Sequence, residues 1–290
     1  MNVLTQPFSA ERLLARRFPD VQQTYAPRDC ILYALGIGFG ADPVDTSELP
    51  FVFEEPRLKV APSMALVLAG PGFWAREADT GIDWRRMLHA ETELLLHRPL
   101  RPGGTVHART RVTQVIDKGA EKGALIYAER VIRDASGEPI ATVRSTSFAR
   151  GNGGFGGGAA SQPAPHALPD RPPELCVDSP IDRRAALLYR LSGDPNPLHV
   201  DPAVAAAVGF DRPILHGLCT LGAVVRVLLK AYCDFEPERL RSVKVRFSRP
   251  VFPGETIRTE TWRDGSVVSF RAVVPGRNVT ALDRGRAEIG

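Results

Sequence analysis

The sequence is short of most features that would declare its chemistry at once. It has four cysteines in 290 residues, Cys30, Cys176, Cys219 and Cys233. No two stand in C-x-x-C spacing and no nearby histidines complete a zinc set, so a structural metal is not indicated. Nothing pairs the cysteines as disulfides either, which points to reduced thiols in a cytosol-like compartment. No apolar run reaches the ~20 residues of a membrane span. The stretch "MALVLAGPGFWA" is short and broken by Gly and Pro. The first residues, "MNVLTQPFSAERLLARRFPD", have no apolar h-region and contain acids, unlike a secretory signal. The final "AEIG" is no recognised address. The 37 basic and 33 acidic residues give a net charge of only +4. They are dispersed, with no basic stripe, so nucleic acid is not an expected partner. The expectation is a soluble, cytoplasmic protein without a membrane or nucleic-acid partner. Its mild positive balance suits an anionic small molecule.

What is present is doubled. "HRPLRPGGTVHART" from His97 and "SRPVFPGETIRTET" from Ser248 share the pattern x-R-P-[LV]-x-P-G-x-T-[VI]. "YALGIG" from Tyr33 resembles "YRLSGD" from Tyr189, in the same order and at a similar separation. Such self-similarity indicates a duplicated unit. The Gly, Pro and Ala-rich segment Gly151–Pro173 divides the copies and reads as a linker. Its "GNGGFGGG" lacks the G-x-x-x-x-G-K-[ST] order of a phosphate loop. The expected organisation is an N-terminal unit (1–150), a linker (151–173) and a C-terminal unit (174–290).

Each unit ends in strands. "RSVKVRFSRP" alternates Val243, Val245 and Phe247 against polar neighbours. "SVVSFRAVV" sets Val268, Phe270 and Ala272 on one face, and Asp264–Gly265 marks a hairpin. Similar strands are expected around Thr105–Val115, Ala124–Ile132 and Ile140–Phe148. Ahead of the second set lies "RPILHGLCTLGAVVRVLLKAYC", with no polar face until Arg226 and Lys230, the pattern of a buried helix beginning near Pro213. The repeat places its counterpart near Pro62–Ala69. A buried helix wrapped by an antiparallel sheet is a hotdog. The fold class is therefore α+β, a double hotdog.

One turn carries the chemistry. "SGDPNPLHVDP" spans Ser192 to Pro202 and holds Asp194 and His199 five residues apart. On a helix that spacing is about 500° of rotation, leaving the two side chains roughly 140° apart. On a strand they would face opposite sides. Pro195 and Pro197 exclude both ladders, so only an irregular turn can bring acid and imidazole together. Downstream, Gly217 falls early in the buried helix. There the backbone N–H lacks an internal partner and the dipole favours negative charge, as an oxyanion donor requires. Close helix–sheet packing would also explain that glycine. An acid, an imidazole and a donor suit water addition to an α,β-unsaturated thioester. The first unit has Gly38 and Pro43 where the second has Asp194 and His199, so one active site per chain is expected.

Tyr189 to Gly222, "YRLSGDPNPLHVDPAVAAAVGFDRPILHGLCTLG", resembles the signature of the R-specific enoyl-CoA hydratases, also called hydratase 2 or MaoC-like dehydratases. That family includes the hydratase unit of the peroxisomal type 2 multifunctional enzyme. "YALGIG", "VIDKG", "GGFGG" and "KVRFSRPVFPG" extend the likeness over nearly the whole chain. The resemblance implies a hydro-lyase of fatty-acid metabolism or β-oxidation. Its catalytic residues would be Asp194, His199 and Gly217, with no metal and no cofactor beyond the CoA of the substrate. It implies acyl-CoA contacts from Pro195, Asn196, Pro197, Leu198 and Phe247. From the first unit it implies His89, Ala90, Lys118 and Gly119, although Ala90 stands where the family often has Gly. A homodimer is also implied. The rival readings are a hotdog thioesterase, opposed by the GDPNPLH turn, and a non-catalytic acyl-CoA binder, opposed by the intact pair. Tyr189 reads as core, Asp201–Pro202 as a helix cap, His97 and His107 as surface residues, and Cys219 as a small core residue.

Overall fold

Alternating side chains build one large sheet. The computed structural model describes residues 6–156 and 162–290. Five strands come from the first half: β1 (Val21–Tyr25), β2 (Met87–Leu96), β3 (Gly104–Asp117), β4 (Ala124–Asp134) and β5 (Pro139–Ala149). Five come from the second: β6 (Leu175–Pro180), β7 (Leu240–Phe247), β8 (Thr256–Asp264), β9 (Val267–Val274) and β10 (Val279–Ile289). Their antiparallel order is β1-β3-β4-β5-β2-β7-β10-β9-β8-β6. Numbered separately, each half runs one-three-four-five-two toward the centre, so the duplication is visible as symmetry. The seam is the pairing of β2 with β7, from Glu91↔Arg246 to Leu95↔Ser242. It joins two sheet edges that would otherwise be exposed. Val243, Val268, Phe270 and Ala272 are fully buried on the concave face, as their alternation requires. A two-residue turn, with Gly265 at φ 62°, closes the β8–β9 hairpin.

The helices lie on the concave side and around it: α1 (Ala10–Ala15), α2 (Pro27–Gly36), α3 (Leu49–Val52), α4 (Ala185–Tyr189), α5 (Pro202–Ala207) and α6 (Gly217–Tyr232). The hotdog helix of the second half is α6. Its Leu221, Val224, Leu228 and Leu229 are inaccessible to solvent, each worth roughly 1.5–3 kcal/mol of burial. It begins at Gly217 rather than near Pro213, because Pro213–His216 stay extended and Leu215 N–H bonds to the Val251 carbonyl instead.

The first half lacks the counterpart that the repeat predicts. Pro62–Leu66 makes only a short 3-10 turn. Ala69 then turns left-handed at φ 47°, and the Gly70-Pro71-Gly72 sequence denies the helix both an N–H and a favourable conformation. Irregular chain with three further 3-10 turns fills the interval to β2.

The glycine-rich stretch is docked rather than free over its described part. Asp117 accepts from Gly119, Gly154 and Gly156 N–H groups at 2.7–2.8 Å. A Cβ on Gly153 would lie 2.1 Å from the Gly119 carbonyl, so only glycine permits this approach. Residues 157–161 of the expected linker lie outside the described residues. Beyond them, His166 hydrogen-bonds Ser269 at 2.8 Å and the Trp262 indole donates to the Arg171 carbonyl at 2.7 Å. The segment thus runs along the sheet. Cys30, Cys219 and Cys233 are buried and Cys176 is exposed, all as free thiols. Among the described residues no helix is long and apolar enough to cross a membrane.

Candidate active site

The Asp194–His199 turn is self-supporting. Asp194 Oδ1 accepts the Asn196 N–H at 3.2 Å and Asn196 Oδ1 accepts the Leu198 N–H at 3.1 Å. Each polar side chain caps the backbone two residues on, while Pro195 and Pro197 fix the intervening dihedrals. Gly193, at φ 127°, admits the chain to the turn. Asp201 caps α5 by accepting the Ala203 N–H, as its position before Pro202 predicts. The result is a buried His199 with Asp194 half-buried beside it.

His199 Nδ1 lies 2.9 Å from the Ile214 carbonyl. A carbonyl only accepts, so Nδ1 carries the hydrogen and Nε2 keeps its lone pair. Burial holds the His199 pKa below the ordinary imidazole value, opposed by that hydrogen bond and by the Asp194 charge. The ring is therefore a neutral proton acceptor at pH 7.

A third residue joins them. His216, the residue before α6, stacks on His199 with centroids 3.7 Å apart and planes 26° from parallel. Its Nε2 donates to the Asp194 carbonyl at 3.1 Å, tying the Asp194–His199 turn to the helix start. Burial and the neighbouring His199 push its pKa down. Its buried Nδ1 has no hydrogen-bond partner among the described residues. One ligand atom from each of Asp194, His199 and His216 lies within 4.8 Å of the others. That composition suggests a cation site, but the geometry opposes it. Two rings stacked nearly parallel cannot both hold one ion in their planes.

Gly217 opens α6 directly after His216, and its N–H begins the helix with no turn before it to bond. A Cβ there would press on the Phe247 ring at 3.0 Å. Phe247 in turn packs on His89, with centroids 4.7 Å apart. His89 is reachable by solvent, yet protein surrounds it closely enough that desolvation lowers its pKa to about 4, opposed partly by Asp194. Ala90 sits in a β-bulge between His89 and Glu91.

The structure thus gathers Asp194, His199, Gly217, Phe247, His89 and the Pro195–Leu198 turn at one end of α6. Lys118 and Gly119 stand at the β3–β4 turn. Lys118 bonds to Gln162 and Gly119 to Asp117, and neither hydrogen bond reaches the cluster. Sequence reasoning left out His216, although "LHG" placed it next to the oxyanion candidate. Tyr189 is core as expected, at 5.0 Å from the His216 ring and 5.7 Å from the Tyr33 ring. Cys219 is core too. It donates to the Gly36 carbonyl, and burial pushes its thiol pKa up.

Comparison with known proteins covers both halves. Residues 23–151 match the family described as MFE-2 hydratase 2 N-terminal domain, and residues 165–282 match the MaoC like domain. "Enoyl-CoA hydratase 2, peroxisomal" of Arabidopsis thaliana is 37% identical over 300 residues, covering 95% of this chain and 94% of that protein. "Peroxisomal multifunctional enzyme type 2" of Mus musculus is 34% identical over 90% of this chain, which spans 36% of the mouse protein. A crystal structure of a MaoC-like dehydratase from Phytophthora capsici superposes with a TM-score of 0.85 at 36% identity. It covers 97% of this chain and 98% of its own.

Proposed function

The chain belongs to the MaoC-like, hydratase 2 family of hydro-lyases, and on that footing we propose that it hydrates trans-2-enoyl-CoA reversibly to (R)-3-hydroxyacyl-CoA. The observation that carries this reading is the gathering of Asp194 and His199, with a side-chain ligand atom of each within 4.8 Å of the other, beside the N-terminus of α6. A water between them finds two acceptors for its two hydrogens. One proton leaves as the oxygen bonds to C3, and the other stays as the new hydroxyl hydrogen. The electron pair moves through C2 onto the thioester oxygen. The Gly217 N–H and the helix dipole stabilise that enolate. As the enolate collapses, C2 takes up a proton and the addition balances. Dehydration retraces these steps. The chemistry needs no metal or redox cofactor, and CoA enters as part of the substrate.

In this reading His89, Ala90, Phe247 and the Pro195–Leu198 turn contact the acyl thioester, and Lys118 with Gly119 serves the anionic end of CoA, as the family resemblance implies. The protein works in acyl-CoA breakdown, as a cytoplasmic homodimer in this reading. Loss of enoyl-thioester absorbance with crotonyl-CoA and trans-2-decenoyl-CoA, followed by the chirality of the product, tests it. Formation of the R alcohol supports the assignment. An S alcohol, or free thiol released from a saturated acyl-CoA, overturns it.

A further inference from the structure

The concave face of the first half carries a partly buried cation, Arg130, that the chemistry above does not use. Along β4 and β5 the register is regular, with Ile126↔Ser147, Ala128↔Ser145, Arg130↔Val143 and Ile132↔Ala141. The alternate residues Arg144 and Glu129 pair on the outer face, so these side chains all point inward. Toward one end, Ile132, Ala141, Val143 and Leu94 belong to the main core. Toward the other, Ile126 and Ala149 belong to a separate apolar cluster with Leu13 and Val112. Between the two clusters lie small residues, Ala128, Ser145 and Ser147, which keep part of their surface accessible. Accessible surface on an inward face marks unfilled space. The space is where the missing helix of this half would lie, and the row is bounded across the sheet by Thr92 of β2, the strand that carries His89.

Arg130 stands in this row. One guanidinium nitrogen donates to the Leu66 carbonyl at 2.7 Å, and another lies against Gly70. Its Nε–H is buried with no hydrogen-bond partner among the described residues. Among the described residues no carboxylate forms an ion pair with it. Burial, its only perturbation, pushes its pKa down to about 10, still charged at pH 7. A desolvated cation with an unsatisfied donor is costly unless something supplies an acceptor. Clamping the Pro62–Leu66 turn uses a single nitrogen, Nη2, and leaves the Nε–H over.

We propose that Arg130 is a specificity residue at the far end of the acyl channel, and that it selects acyl chains carrying an oxygen acceptor, a hydroxyl or a carboxylate, remote from the thioester. The inference rests on the acyl-CoA reading above. A plain hydrocarbon tail would leave the Nε–H unpaired, whereas an oxygenated tail would satisfy it.

The test compares trans-2-enoyl-CoAs of graded chain length ending in methyl, hydroxyl or carboxylate. For the wild type, one chain length should show kcat/KM about tenfold or more higher for an oxygenated end than for methyl, as a charge-assisted hydrogen bond supports. A carboxylate preferred over a hydroxyl would identify an anionic tail, and the reverse order a neutral one. Arg130→Met should erase the preference and Arg130→Lys should keep part of it for the carboxylate. Oxygenated ends that are slower at every length overturn the inference. So does an Arg130→Met change that scales all ends equally. If no enoyl-CoA is hydrated, the hydratase reading fails instead. Equilibrium binding of saturated oxygenated and plain acyl-CoAs then decides the role of Arg130 on its own: tighter binding of the oxygenated chain upholds it and equal binding overturns it.

Discussion

The two halves of this chain start from one plan and differ most tellingly at two places, the segment after Tyr33 or Tyr189 and the segment after Pro62 or Pro213. After Tyr189 the second half makes the Asp194–His199 turn. After Tyr33 the first half instead folds Phe39 inward, where it stacks on Phe51 at 4.4 Å. After Pro213 the second half extends briefly and then runs a 16-residue helix that begins directly after His216. After Pro62 the first half turns once and breaks at Gly70-Pro71-Gly72. One helix thus offers its free N-terminal N–H beside Asp194 and His199, the donor of the proposed mechanism, and the absence of the other leaves space on the concave face. The lesson is that a duplicated unit can be disarmed by loss of a turn and of a helix while its sheet is kept intact. The sheet is still needed to pair β2 with β7.

The sharpest way to break the comparison is to disarm the second half as well. Asp194→Asn or His199→Ala should lower turnover roughly 10²–10⁴-fold, with thermal unfolding little changed. Steady-state kinetics beside a melting curve checks this. Full activity in both variants would move the chemistry elsewhere.

Next in size is the contact that makes the inactive half support the active one. Glu48, from the first half, is fully buried and accepts from Arg226 of α6 at 2.7 Å and from the Gly40 N–H at 2.8 Å. Glu48→Ala leaves a mostly buried guanidinium and an amide unpaired. It should cost about 3–5 kcal/mol of folding stability, read as a lower denaturation midpoint. An unchanged midpoint would mean that the halves cohere without it.

A smaller effect follows from the stacked imidazoles. The folded-state pKa of His216 lies below the ordinary 6.5 because of burial and His199. The unfolded chain therefore binds the proton first as pH falls. Stability is full above about 6.5 and is lost as pH drops below it toward the folded-state value. His199 is lowered in the same direction, so the acid limb of turnover should also lie below the ordinary imidazole value. In His216→Gln the slope of stability against pH in that window should fall by about one proton. An unchanged slope would show that His216 is not the group titrating.

Much of this was legible in the sequence, for definite reasons. Alternation fixed the inward faces of β7 and β9, because a period of two leaves no freedom once one face is buried. The turn was legible because two prolines exclude every regular alternative. The first-half helix was misjudged although "LAGPG" stood in plain view, since the repeat argued for a helix more strongly than local breakers argued against one. That the first half covers the edge of the second sheet was foreseeable, but the particular pairing of β2 with β7 was not, because pairing between distant strands leaves no short-range mark. His216 and Arg130 were missed for a related reason. Their significance lies in which neighbours they lack, an unpartnered Nδ1 and an unpartnered Nε, and a missing partner is a property of packing.

The smallest expected effect is the most instructive about the halves. Gly38→Asp with Pro43→His would write the acid and the imidazole into the first unit at the corresponding positions. No second activity should appear when Asp194→Asn silences the original site. The first-half segment after Pro62 winds for only five residues, so no helix N-terminus of several turns faces the new pair, and the enolate oxygen would lack its donor. Gly38 also sits at φ 98°, where an aspartate would be strained, and its neighbour Phe39 is committed to the core. Turnover in the combined variant at the level of Asp194→Asn alone would show that the acid–imidazole pair is insufficient without the helix. Recovery would show that the sheet and the pair suffice, and that the loss of the first-half helix only made room.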